Sequence, residues 1–525
     1  MEDEKKITGQ IFKNAFKELG ETLVAFVKAP RALWGINVPY VFEGLAYFGI
    51  LTILGKYCSE NIGLSDPQAG WVYGGVTGGI TFAMLLLGGV VDRIGVRASL
   101  LFALLAFAVG RIVITVTGIL PLGSGIGSLK FMTMAFGLLI MVTAYGLYQP
   151  AAYAGVKRYT NPKTAAMGYA VLYSLMNLGA FIAGSITDFS RKVGEPVFPP
   201  NGLLAVFFAF TVISILAVII TFFILTRRVD RQAVERVKRE KADMQDLNTE
   251  SVNNEKDQSR AVPTKSRQFV PYGVFALVCF VMAILFAAFQ VKVIWSIMAL
   301  VLTALFLSVT SIIFLRTHPH HPFRDGRFMY FIFILIPVQT LFAHNWLTIP
   351  YYLDRAFRDN WIGEYFALFS NINPLIIFII TPIIAGLTAR ANVYRMMILG
   401  TFIMAAPTFL LAVGPIPWLF LIYILIMSVG EAMWQPRFLQ WVAEIAPEGQ
   451  TGAYMGIGQF PWFLTKVITS LYSGYFVANY IPKPDSGLPQ RTGEMWLVYA
   501  AIAMISTIGL VLAKKWMTKG MRGNS

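Results

Sequence analysis

The sequence predicts an all-α integral membrane protein with fourteen transmembrane helices, on three observations. Runs of about twenty mostly apolar residues recur along the chain, the length a helix needs to cross a bilayer core. These runs lack the two-residue polar/apolar alternation of membrane barrel strands, and a closed barrel is the one other backbone that can span lipid. Only 14% of the 525 residues are charged and mean hydropathy is +0.62. An average soluble domain is about 25% charged, so length here does not count soluble domains.

The net charge of +15 would suggest nucleic acid in a soluble protein, but most Lys and Arg fall in the segments on one side of the predicted spans. That is the positive-inside pattern, and it places both termini in the cytoplasm of a cell inner membrane. Cys58 and Cys279 lie in or at the end of apolar segments, so they read as packing residues. About thirty mixed-charge residues precede the first span, unlike the short basic start of a cleavable signal. Within residues 1–32, Ile7, Ile11, Ala15, Leu19, Leu23 and Phe26 recur at helical spacing apart from Lys5, Lys6, Lys13 and Lys17. They predict a helix lying on the inner leaflet.

Spans one to six are expected at about 33–58, 68–91, 97–118, 129–156, 164–188 and 202–226, forming a bundle over 33–226. Residues 227–268 carry too many charges and too few apolar groups to fold alone, and predict a disordered cytoplasmic linker. Two closely joined apolar segments at 269–315 predict a membrane hairpin. The last six spans, at about 328–351, 364–389, 393–413, 418–441, 451–476 and 495–515, form a second bundle over 316–515, with a tail at 516–525.

Between spans two and three runs Gly88-Gly-Val-Val-Asp92-Arg93-Ile-Gly95-Val-Arg97. Gly permits a tight turn, Asp92 is suited to cap a helix start, and Arg93 and Arg97 hold the loop at the inner face. This loop resembles the signature of the major facilitator superfamily. The matching place in the second half, 386–395, keeps only basic residues. The resemblance implies two pseudo-symmetric six-helix bundles rocking about a central cavity.

A charge at the bilayer centre costs at least about 2.5–3.5 kcal/mol, which makes ionisable residues inside spans functional candidates. They are Glu43, Arg111, His344, Glu431 and Lys466, with Arg437 nearer the inner end of its helix. The structural alternative is a buried ion pair, such as Glu431 with Lys466. Tyr47, Tyr73, Trp346 and Trp434 are candidate cavity walls, and equally ordinary packing residues. His318-Pro-His320-His321 lacks acidic or Cys ligands at fixed spacing, so no metal is expected there.

Several local patterns narrow the family. They are Phe42-Glu43-Gly44 in span one, Asn177-Leu-Gly179 in span five, Asn371-Ile-Asn373-Pro374 in span eight, and Gly430-Glu431 with Pro436 in span ten. With the extra hairpin, their order resembles the proton-dependent oligopeptide transporter family. The resemblance implies that Asn177, Asn373 and Glu431 hold a substrate ammonium. A carboxylate with two amides is a sound ammonium site in a low-dielectric cavity.

The opposite pole departs from that family. Its span-one Glu-x-x-Glu-Arg is here Tyr40-Val41-Phe42-Glu43-Gly44, and its span-four Lys before Pro is Gln149 before Pro150. Two readings follow: Lys466 or Arg111 supplies the missing positive charge, or the substrate has no carboxylate at that end. Gln149, offering neutral hydrogen bonds only, favours the second. Glu43, without its adjacent Arg, is expected to exchange a proton.

No nucleophile with a base, no phosphate-binding Gly loop and no cofactor motif appears, so an enzyme is not expected. The reading is a monomeric secondary transporter in contact with lipid, with no nucleic-acid partner, moving a small polar solute with protons, a di- or tripeptide or another amine. The alternatives are an exporter of an unrelated molecule and a nutrient sensor on the same scaffold. Deleting the linker would separate the last, since a transporter keeps uptake and a sensor loses output.

Overall fold

A computed structural model of the chain describes residues 30–160, 165–249, 322–388, 391–445 and 460–518, with scattered helical positions at 298–316 and 454–458. The inner-leaflet helix, most of the 269–315 hairpin, Cys279 and the run His318–His321 lie outside the described residues.

The first half is α1 (Arg31–Glu60), α2 (Asp66–Ile94), α3 (Val96–Ile119), α4 (Leu129–Tyr159), α5 (Ala165–Gly194) and α6 (Leu203–Ile224). Each is close to an expected span. The helix α1 packs against α2, α5 and α6, and α4 against α2 and α3. The helix α3 shows how a polar side chain is housed in a membrane bundle. Phe102, Leu105, Val109, Ile112, Val116 and Ile119 line one exposed face at spacings of three and four, while Ser99, Arg111 and Thr115 are buried on the other. Lipid takes the apolar stripe and the bundle takes the polar one.

Asp92 falls inside α2 and not at the start of α3. The helix α2 continues to Ile94, and the turn is made at Gly95, with φ 84°. A residue with a Cβ is strained at that angle, so glycine sets the corner.

The polar stretch after α6 departs from the expectation of disorder. Residues Arg227–Thr249 form a helix, α7. Its charges support it: Arg236 pairs with Glu240 one turn on, and Asp230 accepts a hydrogen bond from the Tyr159 hydroxyl at 2.7 Å. The helix is therefore docked on the end of α4, where composition alone indicated a solvated chain. Residues 250–268 lie outside the described ones.

In the second half, span seven is broken into α8 (Gly326–Ile334), α9 (Ile336–Leu347) and α10 (Ile349–Ala356), with Pro337 and Pro350 at the second position of the last two. Proline removes one helical N–H and fits best in a first turn, so the breaks fall where the prolines do. Span eight is likewise divided into α11 (Trp361–Glu364), α12 (Phe366–Ser370) and α13 (Ile372–Leu387). Then come α14 (Val393–Ala405), tightening to a 3₁₀ helix over Ala406–Val413 at Pro407, α15 (Pro417–Ile445), α16 (Phe460–Tyr480) and α17 (Thr492–Met517).

The most extensive contacts between the halves are two pairs of spans: α2 packs on α16, and α5 packs on α12 and α13. These are spans two with eleven and five with eight. A two-fold axis relating each span to the sixth after it exchanges the two contacts. At Gly474 of α16, an added Cβ would stand 2.3 Å from the Asp66 carbonyl oxygen. Glycine is required for that approach.

Candidate functional site

Each half holds a buried polar cluster. In the first half, Arg111 of α3 donates through Nη1 to Glu43 Oε2 of α1 at 2.8 Å and through Nη2 to Glu43 Oε1, a bidentate pair. The Nη1 group also donates to the Ser214 hydroxyl of α6, and the Tyr145 hydroxyl of α4 donates to Glu43 Oε1. Four helices thus converge on one ion pair. Arg111 is 0% exposed and Glu43 3%, and Arg111 also lies 5.2 Å from the Phe107 ring centre. A guanidinium fork matched to a carboxylate is the strongest form such a pair takes. The Arg missing beside Glu43 in the sequence is replaced in space by Arg111 of α3, sixty-eight positions further on. Sequence adjacency could not reveal it.

In the second half, Asn373 Nδ2 at the start of α13 donates to Glu431 Oε2 of α15 at 3.0 Å and to the Ser428 hydroxyl at 2.9 Å. All three are buried. No cation lies within ion-pair distance of Glu431 among the described residues, so the expected alternative of a Glu431–Lys466 pair is not formed. Lys466 of α16 is half-buried and makes no hydrogen bond or ion pair to another described residue.

Aromatic rings join the clusters. Tyr47 meets Tyr145 edge-on at 5.0 Å, and Phe48 lies 5.5 Å from Trp346 across the two halves. Trp346 continues through Phe342 to Trp462, which stacks on Trp434 at 6.3 Å and 11°. Tyr73 and Trp434 are fully packed. His344 is absorbed into packing: its nitrogens meet the Thr348 hydroxyl at 2.7 Å and the Tyr472 hydroxyl at 3.2 Å, and its ring stacks on Tyr499. Asn177 and Gln149 are half-buried on α5 and α4. Arg437 donates to the Thr388 carbonyl near the other end of α15.

Charges at helix ends, which span-centred reasoning passed over, tie the halves together at the end away from Gly95. Arg355 of α10 grips Asp66 of α2 at 2.9 and 3.2 Å and donates to the Ile481 carbonyl at 2.8 Å. Lys56 pairs with Asp354, and the Ser59 and Tyr351 hydroxyls are 3.4 Å apart. Asp188 of α5, 1% exposed, accepts from the Ala367 and Leu368 N–H groups at 3.4 and 2.8 Å. Deeper in, Asn371 donates to the Thr52 hydroxyl at 2.8 Å. The signal available was the clustering of opposite charges at span ends, which read as ordinary loop boundaries.

Comparison with known proteins agrees with this architecture. Dipeptide and tripeptide permease B of Salmonella typhimurium is 22% identical over 528 residues, covering 94% of this chain and 96% of that protein. The permease B of Yersinia enterocolitica is 22% identical over 524 residues, covering 94% and 95%. Among solved structures, the POT family transporter PepTSo superposes with a TM-score of 0.64 at 17% identity, covering 94% of this chain and 99% of that one. A POT family transporter in complex with 5-aminolevulinic acid superposes at 0.62 with 16% identity, covering 93% and 97%. At such identities the structural likeness speaks for the fold. A model of the Major Facilitator Superfamily matches residues 39–315, more than half of the sequence, and the chain therefore belongs to that superfamily, as a multi-pass membrane protein and not an enzyme.

Proposed function

We propose that the chain is a proton-coupled transporter of small amine-bearing solutes, of which di- and tripeptides are the first class to test. The single observation that supports this best is Glu431: a buried carboxylate that accepts a hydrogen bond from Asn373 and has no cation paired with it among the described residues. Such a group is stable in the membrane only when protonated or when it holds a cation that arrives from outside. Glu431 therefore supplies the charge that receives the substrate ammonium, and a proton that travels with the substrate is carried by a second group. The names of the relatives, peptide permeases and peptide transporters, point the same way.

Glu43 is already engaged in this conformation, with its oxygens accepting from Arg111 and Tyr145. The positive-inside pattern places the Arg93–Arg97 loop in the cytoplasm, so the locked end faces outside and the conformation is closed to the exterior. Alternating access then requires the Asp66–Arg355, Lys56–Asp354 and Asp188 contacts to part together.

The test is uptake of a labelled dipeptide into proteoliposomes with the outside made acidic. Accumulation that collapses with a protonophore is the expected result, and no uptake of any free-amine peptide under that gradient refutes the reading. The lock has its own reporter. Cys58 is buried beside Ser59 in α1. In a Cys279→Ser background, Asp66→Asn removes a charge-assisted pair, and alkylation of Cys58 from outside should rise about tenfold. An unchanged rate would separate this contact from closure.

A further inference from the structure

The substrate pole opposite the amine lost its usual cations in the sequence, and two replacements were open, Arg111 and Lys466. The geometry removes the first. Both terminal nitrogens of Arg111 are committed to Glu43, with Ser214 taking a further bond. Lys466 has no such partner among the described residues, and its depth relative to Glu431 can be worked out from the Trp434–Trp462 stack. Glu431 precedes Trp434 by three residues on α15, and Lys466 follows Trp462 by four on α16. Consecutive spans run antiparallel, so both steps go toward the same end, by about 4.5 and 6 Å at 1.5 Å per residue. A carboxylate and an ammonium therefore stand at about one depth on two helices joined by that ring stack, and no ion pair forms between them.

We infer that Lys466 is the carboxylate anchor of the substrate site, making this transporter selective for short zwitterions whose amine meets Glu431 and whose carboxylate meets Lys466. Two unpaired opposite charges held apart in a membrane bundle are costly while empty, and a zwitterion lying between them satisfies both at once. Trp462, one turn from Lys466 and stacked on Trp434, forms the apolar floor between the poles. Gln149, on the other half, then has no charge to supply, and its substitution for a cation is compensated within the second half.

This inference rests on the amine-pole reading, and the experiment keeps the two apart. The purified full-length protein and its Lys466→Gln and Lys466→Arg variants are titrated with Ala-Ala, its carboxy-terminal amide and its amino-acetylated form, following thermal stabilisation. The expected result is that the native protein binds the free acid at least about tenfold more tightly than the amide. Lys466→Gln erases that preference while leaving the affinity for the amide unchanged, and Lys466→Arg retains it. A free-acid preference that survives Lys466→Gln overturns the inference, as does an amide that binds the native protein as well as the acid. Equal binding of the acetylated form instead overturns the amine pole, and the acid-to-amide comparison still reads Lys466. If none of the three stabilises the protein, both fall.

Discussion

Replacing Arg111 by Met should destabilise the protein by about 3–5 kcal/mol, the largest loss expected from any single substitution in the first half. The arginine is fully buried and its carboxylate partner nearly so. Removing one partner of such a pair leaves the other as an uncompensated charge in low dielectric. The replacement also strips Ser214 and Tyr145 of a shared partner. The double variant Arg111→Met with Glu43→Gln should recover most of the loss, because a neutral amide can still accept from Tyr145 and leaves no charge stranded. A thermal unfolding series of the two single variants and the double reads the coupling directly. Equal melting of the single and double variants would mean that Arg111 acts through packing alone.

Glu431→Gln is the second large effect, and it falls on function with little cost to the fold. Asn373 keeps an acceptor in the glutamine amide oxygen, so the local hydrogen bond survives and stability should stay within about 1 kcal/mol. What is lost is the only charge in that cluster. Binding of a free-amine dipeptide should weaken by about 10- to 100-fold, and uptake driven by a pH gradient should cease, since the group that holds the ammonium is gone. Exchange of labelled for unlabelled peptide in the absence of a gradient separates these two consequences. A variant that still accumulates peptide against a gradient would place the ammonium elsewhere, and Glu43 would be the next residue to test.

Why some of this was legible in the sequence and some was not follows from the kind of interaction involved. The spans could be read because each apolar run must be long enough to cross the bilayer by itself, and that constraint is local. The pairing of Asn373 with Glu431 was also within reach, because Asn373-Pro374 and Gly430-Glu431 are patterns with a family likeness. Arg111 was recognised as an intramembrane charge, but its partner was not, since Glu43 and Arg111 are joined by helix packing across α1 and α3. The breaks at Pro337 and Pro350 were visible as residues, yet a proline inside an apolar run is equally compatible with a kinked continuous helix. The helical start of the linker escaped because its support is a docking contact, Tyr159 with Asp230, which no composition records. Asp188 was missed for a simpler reason: at the margin of a span, a charge looks like a boundary, and only the fold places it on the N–H groups of α12.

The account stands on an ammonium bound at Glu431. The most direct measurement is calorimetric titration of the purified native protein with Ala-Ala and with its amino-acetylated form at one pH. The account predicts saturable binding of the free amine and none of the acetylated peptide over the same range, with the free-amine signal lost in Glu431→Gln. Binding of both peptides with similar affinity, unaffected by that substitution, would contradict it.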